Sequence, residues 1–138
     1  LPVDISISAD DNHLWVNTWN DGLVRLFDIS DPHAPEQVFE KRIGEQINMV
    51  SQSWDGERVY FTSSLLANWD KTNSSAEGEA GDVQYFKLFN WDGAELTPEF
   101  SLDFVAMGLG SPHQMRFGAH ALYGNPAPKT GHDDMAAR

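Results

Sequence analysis

Apolar and polar residues alternate with a period of two along most of the chain. No window of ten or more residues keeps apolar positions at helical spacing. Residues 2–8 put Val3, Ile5 and Ile7 on one face. Residues 13–19 put His13, Trp15, Asn17 and Trp19 on one face and Leu14 and Val16 on the other. An apolar run follows at 23–29, broken by Arg25 and Asp28, and a fourth strand is expected at 38–43. Turn chemistry separates them: Asp10-Asp11-Asn12, Asn20-Asp21-Gly22 and Asp31-Pro32-His33-Ala34-Pro35. Asp21-Gly22 predicts a tight two-residue hairpin turn, because both residues tolerate positive φ.

This set repeats. Ser8-Ala9-Asp10 with Leu14-Trp15-Val16 recurs 45 residues on as Ser53-Trp54-Asp55 with Val59-Tyr60-Phe61. The third strand recurs at 83–89, displaced by a polar insertion near 67–82, and a fourth is expected around 100–104. Four short strands in about 40 to 50 residues is the period of a β-propeller blade. A two-sheet sandwich is the alternative all-β fold, but internal repetition favours the propeller. The predicted fold is therefore an all-β propeller section. One blade is expected at 1–46 and a second at 47–105. A loop-rich closing segment with five Gly, three Pro and three His extends through residue 138. Two blades do not close a ring, and each buries its faces against neighbours. The remaining blades are expected from the rest of a longer protein or from another chain. The opening residues already read as a strand, so the start is expected to be a cut inside that longer protein.

Composition narrows the partners. The 138 residues are 41% hydrophobic and 12% aromatic, too apolar for a disordered chain. Nine Lys and Arg oppose 21 Asp and Glu, a net charge of -12, which repels phosphate backbones and anionic lipid. Neither nucleic acid nor membrane is an expected partner, and no apolar run reaches the roughly 18 to 20 residues of a spanning helix. Cysteine is absent, which removes disulfides, thiolate metal sites and a Cys nucleophile from this chain.

The remaining candidate chemistry is histidine. His13 and His33 fall in a hairpin and a Pro-flanked turn and read as surface residues, and His132 as a solvated tail residue. His113 and His120 are candidate imidazole ligands for copper or zinc, though a gap of seven residues carries little weight by itself. Asp10-Asp11 and Asp133-Asp134 lack the oxygen-ligand spacing of a calcium loop and read as solvated turns. Trp15, Trp19, Trp54, Tyr60, Trp69, Phe86 and Trp91 are expected to pack within and between blades. Arg25 and Lys71 are expected to neutralise nearby carboxylates.

Several segments, in order, resemble the selenium-binding protein 56 family. Residues 4–11, followed by Trp19, Gly22, Arg25 and the Asp28-Ile29-Ser30-Asp31-Pro32 run, are similar to its strand, Trp-x-x-Gly and Tyr-Asp-Ile-Ser-Asp-Pro motifs. Thr62-Ser63-Ser64-Leu65 with Asn68-Trp69-Asp70-Lys71 resembles its Thr-Ser-Leu and Trp-Asp-Lys motif. Residues 100–104 resemble its Phe-x-x-Asp-Phe, and His113-Gln114-Met115-Arg116-Phe117 its His-Glu-x-Arg-Tyr. The resemblance implies the C-terminal part of a larger propeller, with copper-dependent oxidation of methanethiol by O₂ and water as its activity. It implies His113 as a metal ligand and Arg116 as the group that holds a carboxylate or orients a bound anion. Asp21 stands where family members often carry His, which shifts a possible ligand to another position such as His120. A periplasmic location follows from resemblance to bacterial members, and a homo-oligomer is compatible with it. The reading from a different class is a non-catalytic propeller that binds a selenium species or a partner. A calcium-dependent propeller hydrolase is a weaker third.

Overall fold

The computed structural model describes residues 1–73 and 81–115. Two four-stranded antiparallel sheets follow one another, each with its strands in chain order. The first holds β1 (Pro2–Ile7), β2 (His13–Thr18), β3 (Leu23–Asp28) and β4 (Glu36–Arg42). The second holds β5 (Val50–Gln52), β6 (Arg58–Thr62), β7 (Tyr85–Trp91) and β8 (Leu96–Asp103), then a single helical turn, α1 (Phe104–Met107). These are two blades of a β-propeller.

The repeated Ser-x-Asp motif builds the same turn twice. Ser8 Oγ donates to Asp10, whose carboxylate also accepts from Asn12 N–H, and His13 N–H closes the loop on Ser8 Oγ. In the second blade Ser53 Oγ donates to Asp55, Glu57 N–H to the same carboxylate, and Arg58 N–H to Ser53 Oγ. Asp11 and Gly56 take the left-handed position in these turns. Asp21-Gly22 differs from the expected two-residue turn. Thr18 pairs with Leu23, so four residues form the loop, and only Gly22 has positive φ. The glycine is needed for space as well, since a Cβ there would meet the Gly44 carbonyl oxygen at 1.9 Å.

The blades stack face to face with β1 beside β5. Val50 N–H donates to Asp4 (2.8 Å), and Gln52 Nε2 to Ser6 Oγ (2.7 Å). Between the sheets lie Trp15, Val24 and Leu26 of the first blade and Val50, Val59, Phe61 and Phe89 of the second. Trp15 meets Trp91 edge-on at 5.2 Å, and Phe39 meets Trp91 at 4.9 Å. Trp15 and Trp19 are buried as expected. Trp54 and Trp69 are exposed, because each sits in a loop outside the sheets. The connection from β4 to β5 is itself core: Ile43 to Asn48 is buried throughout. The expected boundary between residues 46 and 47 lies inside this stretch. The outer faces of the pair carry exposed apolar side chains, Ile5 and Ile7 on the first blade and Phe100 on the second. Further blades of a ring would cover such faces.

Candidate functional site

At the end of the sheets marked by Thr18 and Thr62, polar side chains are buried where the strand pattern calls for apolar ones. Asn17 is the penultimate residue of β2, and Asn48 lies at the end of the buried connection; neither exposes any surface. Asn17 Nδ2 donates to the Asn48 carbonyl (2.8 Å), which ties the first blade to the second. Asn48 N–H donates to the Thr62 carbonyl (2.7 Å), and its side-chain Nδ2 donates to the Ser64 carbonyl.

The Ser64 carbonyl also faces His113, whose Nδ1 lies 3.1 Å away. The segment carrying His113 is held along the far side of β5 and β6. Ser64 N–H donates to the Pro112 carbonyl (3.0 Å), Thr62 Oγ1 to the His113 carbonyl (2.7 Å) and Ser51 Oγ to the Met115 carbonyl (3.0 Å). Ser51 and Tyr60 pair in register, and Thr62 follows two residues on, so both hydroxyls project from one face. A carbonyl oxygen only accepts, so in the neutral ring this contact places the proton on Nδ1 and leaves the Nε2 lone pair free. Asn48 Nδ2, 3.4 Å from the same ring nitrogen, is committed to Ser64. The two donors share one acceptor.

Asp70 and Lys71 brace this corner from outside. Asp70 accepts from Ser64 Oγ, from Leu65 N–H (2.8 Å) and from Leu66 N–H (3.2 Å). Lys71 donates from Nζ to the Glu45 carbonyl (2.6 Å) and from its backbone N–H to Gln46 Oε1 (2.8 Å). Its ammonium also lies 3.6 Å from the buried Glu45 carboxylate, the neutralising contact expected of Lys71. Arg25 likewise pairs with Glu40 (2.9 Å) and Asp21 (3.5 Å). Burial pushes the Asp21 carboxyl up, but hydrogen bonds from Thr18 and Leu23 and the Arg25 charge outweigh it and hold the group below its ordinary value. Asp21 is thus committed to its turn.

Of the expected site residues, His113 is held in the way just described. His120 and Arg116 lie outside the described residues. His13 and His33 sit at the start of β2 and in an exposed turn, apart from His113. Among the described residues no three His, Cys, Asp or Glu side chains come together as a metal-binding group. Of the three histidines among the described residues, His113 alone lies at this corner. Close to it in the bonding chain, Asn17 Oδ1, Asn48 Oδ1 and Trp19 Nε1 have no hydrogen-bond partner among the described residues. Leaving a buried acceptor unpaired costs about 1–3 kcal/mol, so such groups mark places where a bound water or ligand is favoured. Sequence reasoning assigned no role to Asn17, Asn48, Ser64 or Asp70. The available signal was Asn17 and Asn48 as polar interruptions among Trp15, Val16, Ile47 and Val50.

The chain is similar to known proteins over most of its length. The model of the 56kDa selenium binding protein (SBP56) family matches residues 1–121. A methanethiol oxidase from Ruegeria pomeroyi is 62% identical over 123 residues, which are 89% of this chain and 27% of that protein. A methanethiol oxidase from Hyphomicrobium is 55% identical over 117 residues, 85% of this chain and 26% of that protein. The crystal structure of a hypothetical selenium-binding protein from Sulfolobus tokodaii superimposes with a TM-score of 0.60 at 28% identity, over 75% of this chain and 26% of that one. The chain spans about a quarter of the length of the relatives it matches. With two blades, an ordered set of motifs and a family match over most of its length, the chain belongs to the 56kDa selenium binding protein family.

Proposed function

We propose that this chain is part of a methanethiol oxidase, which converts methanethiol, O₂ and water to formaldehyde, hydrogen sulfide and hydrogen peroxide. The names of the relatives at 62% and 55% identity support the activity. The observation that carries the reading to residues of this chain is the His113 ring, with Nδ1 against the Ser64 carbonyl, which in the neutral ring leaves Nε2 unprotonated. That is the state in which an imidazole ligates a metal. His113 would hold copper together with ligands from outside the described residues, His120 among the candidates. Copper held there would bind a soft thiolate and supply electron exchange with oxygen, a redox chemistry that zinc and calcium lack. This chain's own part is to fix the ring and to tie the two blades together beneath it through Asn17 and Asn48. Arg116 is assigned the orientation of an anionic group.

Metal analysis of the intact native protein by mass spectrometry, paired with a peroxide assay after methanethiol is added, tests the proposal. Near-stoichiometric copper with peroxide release is expected. A folded, metal-free and inactive protein would overturn it and favour a selenium- or partner-binding propeller. That second reading draws on the single imidazole at the site and on Asp21, whose carboxylate is consumed by its turn. A periplasmic location is part of the proposal, on resemblance to bacterial members alone, and cell fractionation checks it.

A further inference from the structure

Asp70 belongs to a motif that the proposed activity does not use, and its side chain faces the back of the carbonyl that holds His113. We infer that Asp70 is a positioning residue: through the Ser64 turn it fixes which nitrogen of His113 carries the proton. The inference rests on the His113 reading only for its consequence in metal binding.

Three donors converge on the Asp70 carboxylate, from Ser64 Oγ and from the backbone N–H groups of Leu65 and Leu66. The loop then closes on itself, because Trp69 and Asp70 N–H both donate to the Leu66 carbonyl at 2.8 and 2.9 Å. Little apolar packing helps to hold it: the Leu66 and Trp69 side chains, which flank the turn, are about half exposed. With hydrophobic burial small, the charged acceptor orders the backbone here, and hydrogen bonds to an ionised group are the stronger kind. Ser64 itself is buried, and its carbonyl is fixed from inside by Asn48 and from outside by Asp70. Its remaining acceptor direction meets His113 Nδ1 at 3.1 Å. Neither Asp70 nor Asn48 has to touch the metal for this arrangement to matter. Outer partners of this kind set ring tautomer and orientation, and their loss typically weakens metal affinity about 10–100-fold.

The test uses the full-length protein carrying Asp70→Asn, which keeps the size of the side chain but removes its charge and the acceptor oxygen that meets Ser64 Oγ. With ¹⁵N-labelled histidine, long-range proton–nitrogen spectra of the metal-stripped protein at a pH where the ring is neutral read the tautomer directly. The His113 signals are assigned by their loss in His113→Ala. The native protein is expected to hold the proton on Nδ1 and the variant to show a mixture of tautomers. Copper affinity, read by competition with a chromophoric chelator, should fall about 10–100-fold. A variant with native tautomer and native affinity overturns the inference. A shifted tautomer in the variant, with no copper bound by the native protein, upholds the positioning role and removes the metal reading instead. Should thermal melting show Asp70→Asn to be unfolded, Ser64→Ala takes its place, since it deletes one of the three donors and keeps the carbonyl. A smaller shift in the same direction then supports the inference, and an unchanged tautomer overturns it.

Discussion

The Lys87 ammonium, on the third strand of the second blade, donates at 2.7 Å to the carbonyl of Ile43, where the chain leaves the first blade. The same ammonium lies 2.5 Å from the Asp82 carboxylate and 4.4 Å from the centre of the Tyr85 ring. Both charged partners are largely buried. Replacing Lys87 with Met leaves Asp82 and the Ile43 carbonyl without their donor. A loss of about 2–4 kcal/mol is expected, read as a lower urea midpoint. Asp82→Asn combined with Lys87→Met should recover part of it, because the stranded charge is then gone.

Trp15 and Trp54 make opposite cases. Trp15 is 2% exposed and packs edge-on against Phe39 and Trp91, so Trp15→Ala should cost about 3–5 kcal/mol. Trp54 is 53% exposed, and Trp54→Ala should cost about 1 kcal/mol or less. Thermal melting of the two variants side by side checks the contrast. Equal losses would mean that Trp54 is covered in the folded protein.

Two glycines with similar backbones should respond differently to alanine. At Gly56 (φ 75°) nothing lies within 4 Å of the added carbon, so only the left-handed backbone is penalised, by about 1–2 kcal/mol. At Gly22 (φ 65°) the same backbone penalty is joined by a clash with the Gly44 carbonyl. Gly22→Ala should therefore lower the melting temperature well beyond Gly56→Ala, since both bodies in the clash are main chain.

Acid should weaken the repeated turns. Asp10 is held below its ordinary value of 3.8 by the Ser8 hydroxyl and the Asn12 N–H. In Asp55 burial pushes the other way, but Ser53, the Glu57 N–H and Arg58 win, so its carboxyl is lowered too. Such groups stabilise the fold fully above the unfolded value. Their contribution is lost as pH falls from about 3.8 through the lower folded values. Urea midpoints should fall as pH drops through that window, and Asp55→Asn should flatten the fall. A variant with the native slope would show that these turns do not carry the acid response.

Replacing His113 with Ala should lower copper occupancy and thiol oxidation together while the fold survives. His113 is exposed and the main-chain bonds of its segment to Thr62 and Ser51 remain. Unchanged metal content and turnover would remove His113 from the site.

The strand pattern and the 45-residue repeat were legible because one local device, serine and aspartate closing a loop, recurs in both blades. Strand β5 was not, since three residues are too few to display an alternation. The third strand of the second blade begins at Tyr85, two residues later than its apolar character implies. Val83 and Gln84 are buried outside the ladder, where the Val83 carbonyl accepts from Gln46 and Gln84 Nε2 donates to the Lys71 carbonyl. Phe104 reads as strand but opens a helical turn, because Asp103 caps it through the Ala106 N–H. The histidine itself could be picked out in sequence. Its support could not, because Ser64 and His113 are 49 residues apart and meet only after two sheets have formed.

The buried connection at residues 43–48 also bears on how such a chain can change. Its side chains fill the space between the sheets, Gly44 admits the Tyr85 ring, and its carbonyls accept from Tyr85, Lys71 and Lys87 of the following repeat. A recombination crossover placed there would part each half from groups it cannot replace. The repeats look like interchangeable cassettes in sequence, but the seam between them is fitted to both neighbours at once. Inherited changes in blade number would have to carry the seam along with the blade.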